Sequence, residues 1–151
     1  ATLYREELDT WEAGGHVGTF RGNIPAMIGG VRSIEYIREQ DLLAHARDVG
    51  GYMRDRLREV AEENPLLGEV RGMGLFTGAE FVDEDGAPNE DVVKSIRKHC
   101  YRTGVLVWKA GHHSNVLRLI PPLVVTKEQA ETGMDILTDA IEEATEAEVA
   151  A

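Results

Sequence analysis

Apolar residues along this chain alternate between a three-to-four-residue spacing and short, nearly continuous runs, and each switch marks a change of element. Residues 3–11 read as a short strand and a turn. A glycine-rich loop follows. Helical spacing then runs from about Asn23 to Glu39, with Met27, Val31, Ile34 and Ile37 on one face. Asn23 suits the N-cap and Pro25 the first turn. Gly29 and Gly30 weaken this helix by roughly 1 kcal/mol each against Ala, a cost that close approach of another backbone would offset. A second helix covers about Asp41 to Glu63, where Leu43, Ala46, Val49, Met53, Leu57 and Val60 recur on one side and Asn64-Pro65 ends the pattern.

From Leu67 to Val82 the pattern becomes extended, closed by the polar turn Asp83-Glu84-Asp85-Gly86. A third helix follows from about Asn89 to Arg102, with Val92, Val93, Ile96 and Cys100 inward and Gly104 at its C-terminal end. Val105 to Trp108 and Val116 to Ile120 read as partner strands around a turn at 111–115, closed by Pro121-Pro122. Thr126-Lys127-Glu128-Gln129 is a capping box for the last helix, whose apolar face is Ala130, Met134, Leu137, Ile141 and Ala144. Its acidic tail, Glu142 to Ala151, is expected to fray. The order from Asp41 onward predicts an α+β fold: a small, mostly antiparallel sheet covered by helices. The natural boundary falls within the helix at 23–39.

With 151 residues the chain amounts to about one domain and can bury a core. A net charge of -11 argues against nucleic acid and anionic membranes as partners. Acid excess with few lysines suits high salt, so a halophilic source is a hypothesis, tested by whether folding is lost as salt is lowered. There is no run of roughly 20 apolar residues to span a bilayer. The single cysteine, Cys100, allows no intrachain disulfide and fits a cytoplasmic setting; its place on an apolar stripe makes it a core residue rather than a nucleophile. The chain starts without Met, which is expected of a piece of something longer.

Candidate chemistry gathers at two places. In Gly14-Gly15-His16-Val17-Gly18-Thr19-Phe20-Arg21-Gly22-Asn23, five of ten residues are chain-breaking or capping, and a helix starts directly afterwards. Such a loop offers backbone N–H groups and the Thr19 hydroxyl to an anion, although a turn-stabilising threonine is the simpler reading from the residues alone. It is neither a Walker loop nor a dinucleotide fingerprint. Arg118, on an otherwise apolar strand, faces with Val116 and Ile120 and needs an anionic partner or a wet edge; a half-exposed surface arginine is the simpler reading of pattern alone. His112 and His113 are adjacent, so they point apart and make a poor metal pair; no metal site is expected. His16 reads as loop packing, and Trp11 and Trp108 as packing anchors. Arg71 reads as a brace of the strand junction through backbone carbonyls.

Three of these segments resemble class III pyridoxal-phosphate aminotransferases. Gly18-Thr19-Phe20-Arg21-Gly22-Asn23 is similar to that family's phosphate loop. Leu67-Gly68-Glu69-Val70-Arg71-Gly72-Met73-Gly74-Leu75 is similar to the strand that leads into its small domain, and Leu117-Arg118-Leu119-Ile120-Pro121-Pro122-Leu123 to its substrate-carboxylate segment. They occur in the family's order and spacing, and the resemblance spans the chain, which corresponds to the last third or so of such an enzyme. Leu8-Asp9-Thr10-Trp11 and the Arg after Phe20 resemble the diaminobutyrate branch; Val17 departs from it.

The resemblance implies the C-terminal small domain of a fold-type I transferase, with residues 1–24 ending the large domain, 25–40 an interdomain helix and 41–151 the small α+β domain. It implies pyridoxal 5'-phosphate as cofactor, amino-acid and 2-oxo-acid substrates, and a homodimer with a shared site. Gly18 and Thr19 would hold the phosphate of the neighbouring subunit's cofactor, and Arg118 the substrate α-carboxylate. The Schiff-base lysine and the acid at the pyridine nitrogen lie upstream of the glycine loop in this family, and none of Lys94, Lys98, Lys109 or Lys127 has that context. No catalytic residue is therefore expected here, and the segment alone is expected to be inactive. The implied donor is a diamino or ω-amino acid, 2,4-diaminobutyrate first, with 4-aminobutyrate, acetylornithine and ornithine as alternatives. A non-catalytic binding or dimerisation module is the reading from another class.

Overall fold

In the computed structural model, which describes residues 4–15 and 17–149, the chain divides after Glu39 into two units. In the first, residues Glu6–Leu8 form a 3-10 turn and α1 spans Ile24–Glu39. The strand expected over 3–11 is thus not formed within the described part of that stretch, and Leu3 lies outside it. The acidic run closes local bonds instead: Leu8 N–H donates to Arg5 O and Asp9 N–H to Glu6 O, both at 2.9 Å. Asn23 caps α1 as expected, its side-chain oxygen accepting from Ala26 N–H at 3.0 Å. The expected apolar face is not buried within this unit: Met27, Val31 and Ile34 are exposed and Ile37 is half-buried.

The second unit holds the core. Its elements are α2 (Leu42–Glu63), β1 (Leu67–Met73), β2 (Phe76–Phe81), α3 (Glu90–Thr103), β3 (Trp108–Ala110), β4 (Val116–Leu119) and α4 (Lys127–Val149). The four strands make one antiparallel sheet in the order β1-β2-β4-β3. Strand side chains alternate between faces. Val70, Thr77, Ala79, Phe81, Leu117 and Leu119 therefore point one way, and α2, α3 and α4 pack on that side. Phe81, Leu117, Leu57, Ile96, Cys100 and Ile141 at its centre are fully buried. The other face carries Arg71, Phe76, Gly78, Glu80, Trp108 and Arg118, and no helix of this unit covers it.

Four expectations are corrected here. Leu42, not Leu43, starts the buried stripe of α2. The helix begins after Asp41, whose backbone is left-handed, and the spacing from Leu42 through Ala46, Val49 and Met53 leaves Leu43 about 100° off the inward face. β3 is Trp108–Ala110 rather than 105–108, because Val105 N–H is spent on the Cys100 carbonyl in closing α3. β4 ends at Leu119, ahead of the two prolines, and Ile120 is exposed. The acidic tail stays helical to Val149, and Glu148 accepts from the Asn89 amide at 3.2 Å.

The caps follow the sequence. Asn89 accepts from Val92 N–H, Gly104 ends α3 with a left-handed backbone, and Thr126 and Gln129 exchange side-chain bonds with each other's N–H. Cys100 sits in the core, and burial pushes its thiol up to about 11.

Candidate active-site segment

Two arginines stand on the open face of the sheet, and they are held differently. Arg71, on β1, is already neutralised: its guanidinium donates to Glu69 at 2.6 Å and to Glu80 at 2.7 Å. It braces the strands through carboxylates rather than the backbone carbonyls expected from sequence. The Glu80 carboxyl lies below its ordinary range, first because Arg71 donates to it and next because the Asn115 amide does. The same pairing raises Arg71.

Arg118, on β4, has no such partner. Its Nε is buried and makes no hydrogen bond. Among the described residues no carboxylate pairs with its guanidinium. A buried N–H without a partner costs about 1–3 kcal/mol, more when charged. A carboxylate oxygen placed there would remove that cost, and a planar fork receives a carboxylate through two parallel bonds. Register sets its neighbours. Directly opposite on β2 is Gly78, which has no side chain; directly opposite on β3 is Trp108. Val116 lies two residues back on the same face, and the Gly111 turn covers it. Trp108, expected as a packing anchor, is 60% exposed and holds the Arg97 guanidinium 4.9 Å from its ring centroid.

The glycine loop belongs to the first unit. Residues 19–22 form a turn in which Arg21 N–H donates to Gly18 O at 3.1 Å. Thr19 is exposed, and among the described residues its hydroxyl and N–H have no partner. Among the described residues a Cβ added at Gly18 would meet only Arg21 Cγ, at 3.8 Å, so none of them demands glycine there. A bulky anion brought close to the backbone would. The donor set, a hydroxyl and free N–H groups ahead of a helix, fits a phosphate. His16 lies outside the described residues.

His112 and His113 meet edge to face, ring centroids 5.1 Å apart, and among the described residues no three His, Cys, Asp or Glu gather as a metal site. Among these residues, too, no helix is long and apolar enough to cross a membrane. Gly78 and Trp108 escaped the sequence reading because their relation to Arg118 exists only in strand register; alternation along β4 was the one signal available.

Comparison with known proteins agrees with these features. The family model described as aminotransferase class III matches residues 1–141. A diaminobutyrate--2-oxoglutarate aminotransferase of Rhizobium meliloti is 36% identical over 148 residues, covering 93% of this chain and 32% of that protein. A leucine/methionine racemase of Thermococcus litoralis is also 36% identical, over 95% of this chain and 32% of its own length. Among solved structures, an aminotransferase of Bacillus anthracis superposes with a TM-score of 0.77 at 30% identity, covering 85% of this chain and 30% of that one. The chain thus spans about a third of the length of the curated relatives it matches. It belongs to the class III aminotransferase family, in which pyridoxal phosphate is the cofactor.

Proposed function

We propose that this chain is the C-terminal segment of an aminotransferase that moves the terminal amino group of a diamino or ω-amino acid, 2,4-diaminobutyrate in first place, to or from 2-oxoglutarate. The observation that carries the reading is the buried, unpartnered Nε of Arg118 on an open sheet face whose other arginine is already paired. Three of the most similar relatives, from Rhizobium meliloti, Haemophilus influenzae and Streptomyces coelicolor, bear the diaminobutyrate–2-oxoglutarate name at 34–36% identity, which supports this donor over others.

Pyridoxal phosphate, when bound, supplies an aldehyde that takes up the donor amine and a ring that accepts electron density. This chain's residues bind and orient. Arg118 receives the α-carboxylate through its fork and fixes the acid's long axis. Gly18 and Thr19 give the cofactor phosphate of the neighbouring subunit a hydroxyl, an N–H and an unobstructed approach, which makes the homodimer a requirement of the site. The lysine that carries the aldehyde comes from polypeptide ahead of residue 1, so the segment alone has no turnover.

The test is an amino-donor panel on the complete polypeptide with 2-oxoglutarate as acceptor. Glutamate should form fastest from 2,4-diaminobutyrate. A preference for ornithine would move the assignment to the second reading, which the ornithine aminotransferase relative of Staphylococcus carnosus, 32% identical, supports. Failure to form glutamate from any of these donors would contradict both.

A further inference from the structure

Arg118 is a long side chain on the sheet face that no helix of this unit covers, yet its Nε is buried. Its two cross-strand neighbours differ as much as two residues can. Gly78 contributes nothing above the backbone, whereas Trp108 contributes an indole. Side chains directly opposite on antiparallel strands have Cβ atoms about 4.5–5.5 Å apart, within reach of an aromatic ring. The β3 side of Arg118 therefore carries a ring, whereas on the β2 side Gly78 carries none and, among the described residues, only Val116 Cγ1 reaches over it, 3.3 Å from where a Cβ would stand.

Trp108 itself needs holding, since β3 is a three-residue edge strand and the ring is largely exposed. Arg97, on α3, does this from beyond the sheet edge. Its Nε donates to the Val107 carbonyl at 3.3 Å, which fixes the guanidinium beside the strand, and Cζ lies 4.9 Å from the indole centroid. The backbone bond sets where the cation sits, and the cation sets where the ring sits.

We propose that Trp108 is a positioning residue for Arg118, that Arg97 locks it, and that the acid substrate enters from the Gly78 side. The inference rests on the reading of Arg118 as the carboxylate grip. An aromatic wall limits the rotamers of Arg118 before the acid arrives, so less freedom is lost on binding. It also narrows the space beside Arg118, which selects slender chains near the carboxylate over branched ones.

The test is calorimetric titration of the complete, cofactor-loaded enzyme with glutarate, a dicarboxylate that lacks the reacting carbonyl. Trp108→Leu should raise its Kd about fivefold, and Trp108→Phe, which keeps a ring, should stay within about twofold of the parent. Arg97→Met, which removes both the cation over the ring and the bond to the Val107 carbonyl, should raise Kd about two- to threefold. A Trp108→Leu Kd equal to the parent's, with Arg118→Lys weakened about tenfold or more, would overturn the role of Trp108 and leave Arg118 in place. An Arg118→Lys Kd equal to the parent's would overturn the reading of Arg118 itself. Should Trp108→Leu not fold, an unchanged Kd in Arg97→Met overturns the lock.

Discussion

A Cβ placed on Gly50 would lie 1.8 Å from the carbonyl oxygen of Gly74. Helix α2 runs directly against the turn that joins β1 to β2, and Arg54, one turn further along, donates to that same carbonyl. Gly74 has φ +53°, a conformation that suits glycine. Gly50→Ala should therefore destabilise the chain by about 2–3 kcal/mol, as forced overpacking does. Gly51→Ala, where none of the described residues lies within 4 Å, should gain up to about 1 kcal/mol from helix propensity. Urea unfolding of the two variants checks this; shifts of the same sign would show that the close approach is not what requires glycine.

Glu80 links β2 to β1 through Arg71 and to the turn before β4 through Asn115. Its folded carboxyl lies below the ordinary value of 4.5, so its contribution is present above that value and lost as pH falls below it. Glu80→Gln should flatten the acid limb of stability against pH below about 4.5 and change little near neutrality beyond a constant offset. Thermal unfolding across that range is the measurement, and an unchanged acid limb would contradict the linkage.

Cys100 should behave as buried hydrocarbon. With its thiol pushed up to about 11, it is neutral at pH 8 and shielded as well. A thiol reagent at that pH should label it only at the rate the chain unfolds, and urea should accelerate labelling sharply. Because the folded value is raised above the ordinary 9.0, the thiol's contribution to stability is intact below pH 9 and is lost as pH rises toward 11. Rapid labelling of the native chain would contradict its place in the core.

Most of the architecture of the second unit was legible because helical and extended spacing change at residues that also cap or break chains: Asn64-Pro65, Asn89, Gly104, Pro121-Pro122 and Thr126. Asn89 and Thr126 cap as their spacing predicts, since capping is local. The errors arose where tertiary partners decide. Leu42 and Leu43 are equally apolar, and only the left-handed Asp41 fixes which faces inward. Val105 to Val107 is as strand-like as any run here, but its first N–H closes α3. At the candidate site, alternation along β4 put Arg118 opposite Leu117 and Leu119, yet neither Gly78 nor Trp108 is within 9 residues of it in sequence.

Thr19 is exposed and without a partner among the described residues. In the complete enzyme Thr19→Val should weaken pyridoxal phosphate by about tenfold, the effect of losing one hydrogen bond to a charged group. Thr19→Ser should largely restore it. Dialysis followed by the cofactor's absorbance reads the outcome; equal retention in Thr19→Val and the parent would remove Thr19 from the phosphate site.

Whether Arg118 receives the substrate carboxylate is tested most directly by the KM for 2-oxoglutarate of Arg118→Lys in the complete enzyme. Lysine keeps the charge and loses the paired bonds, so KM should rise about tenfold or more. A KM equal to the parent's would contradict that role.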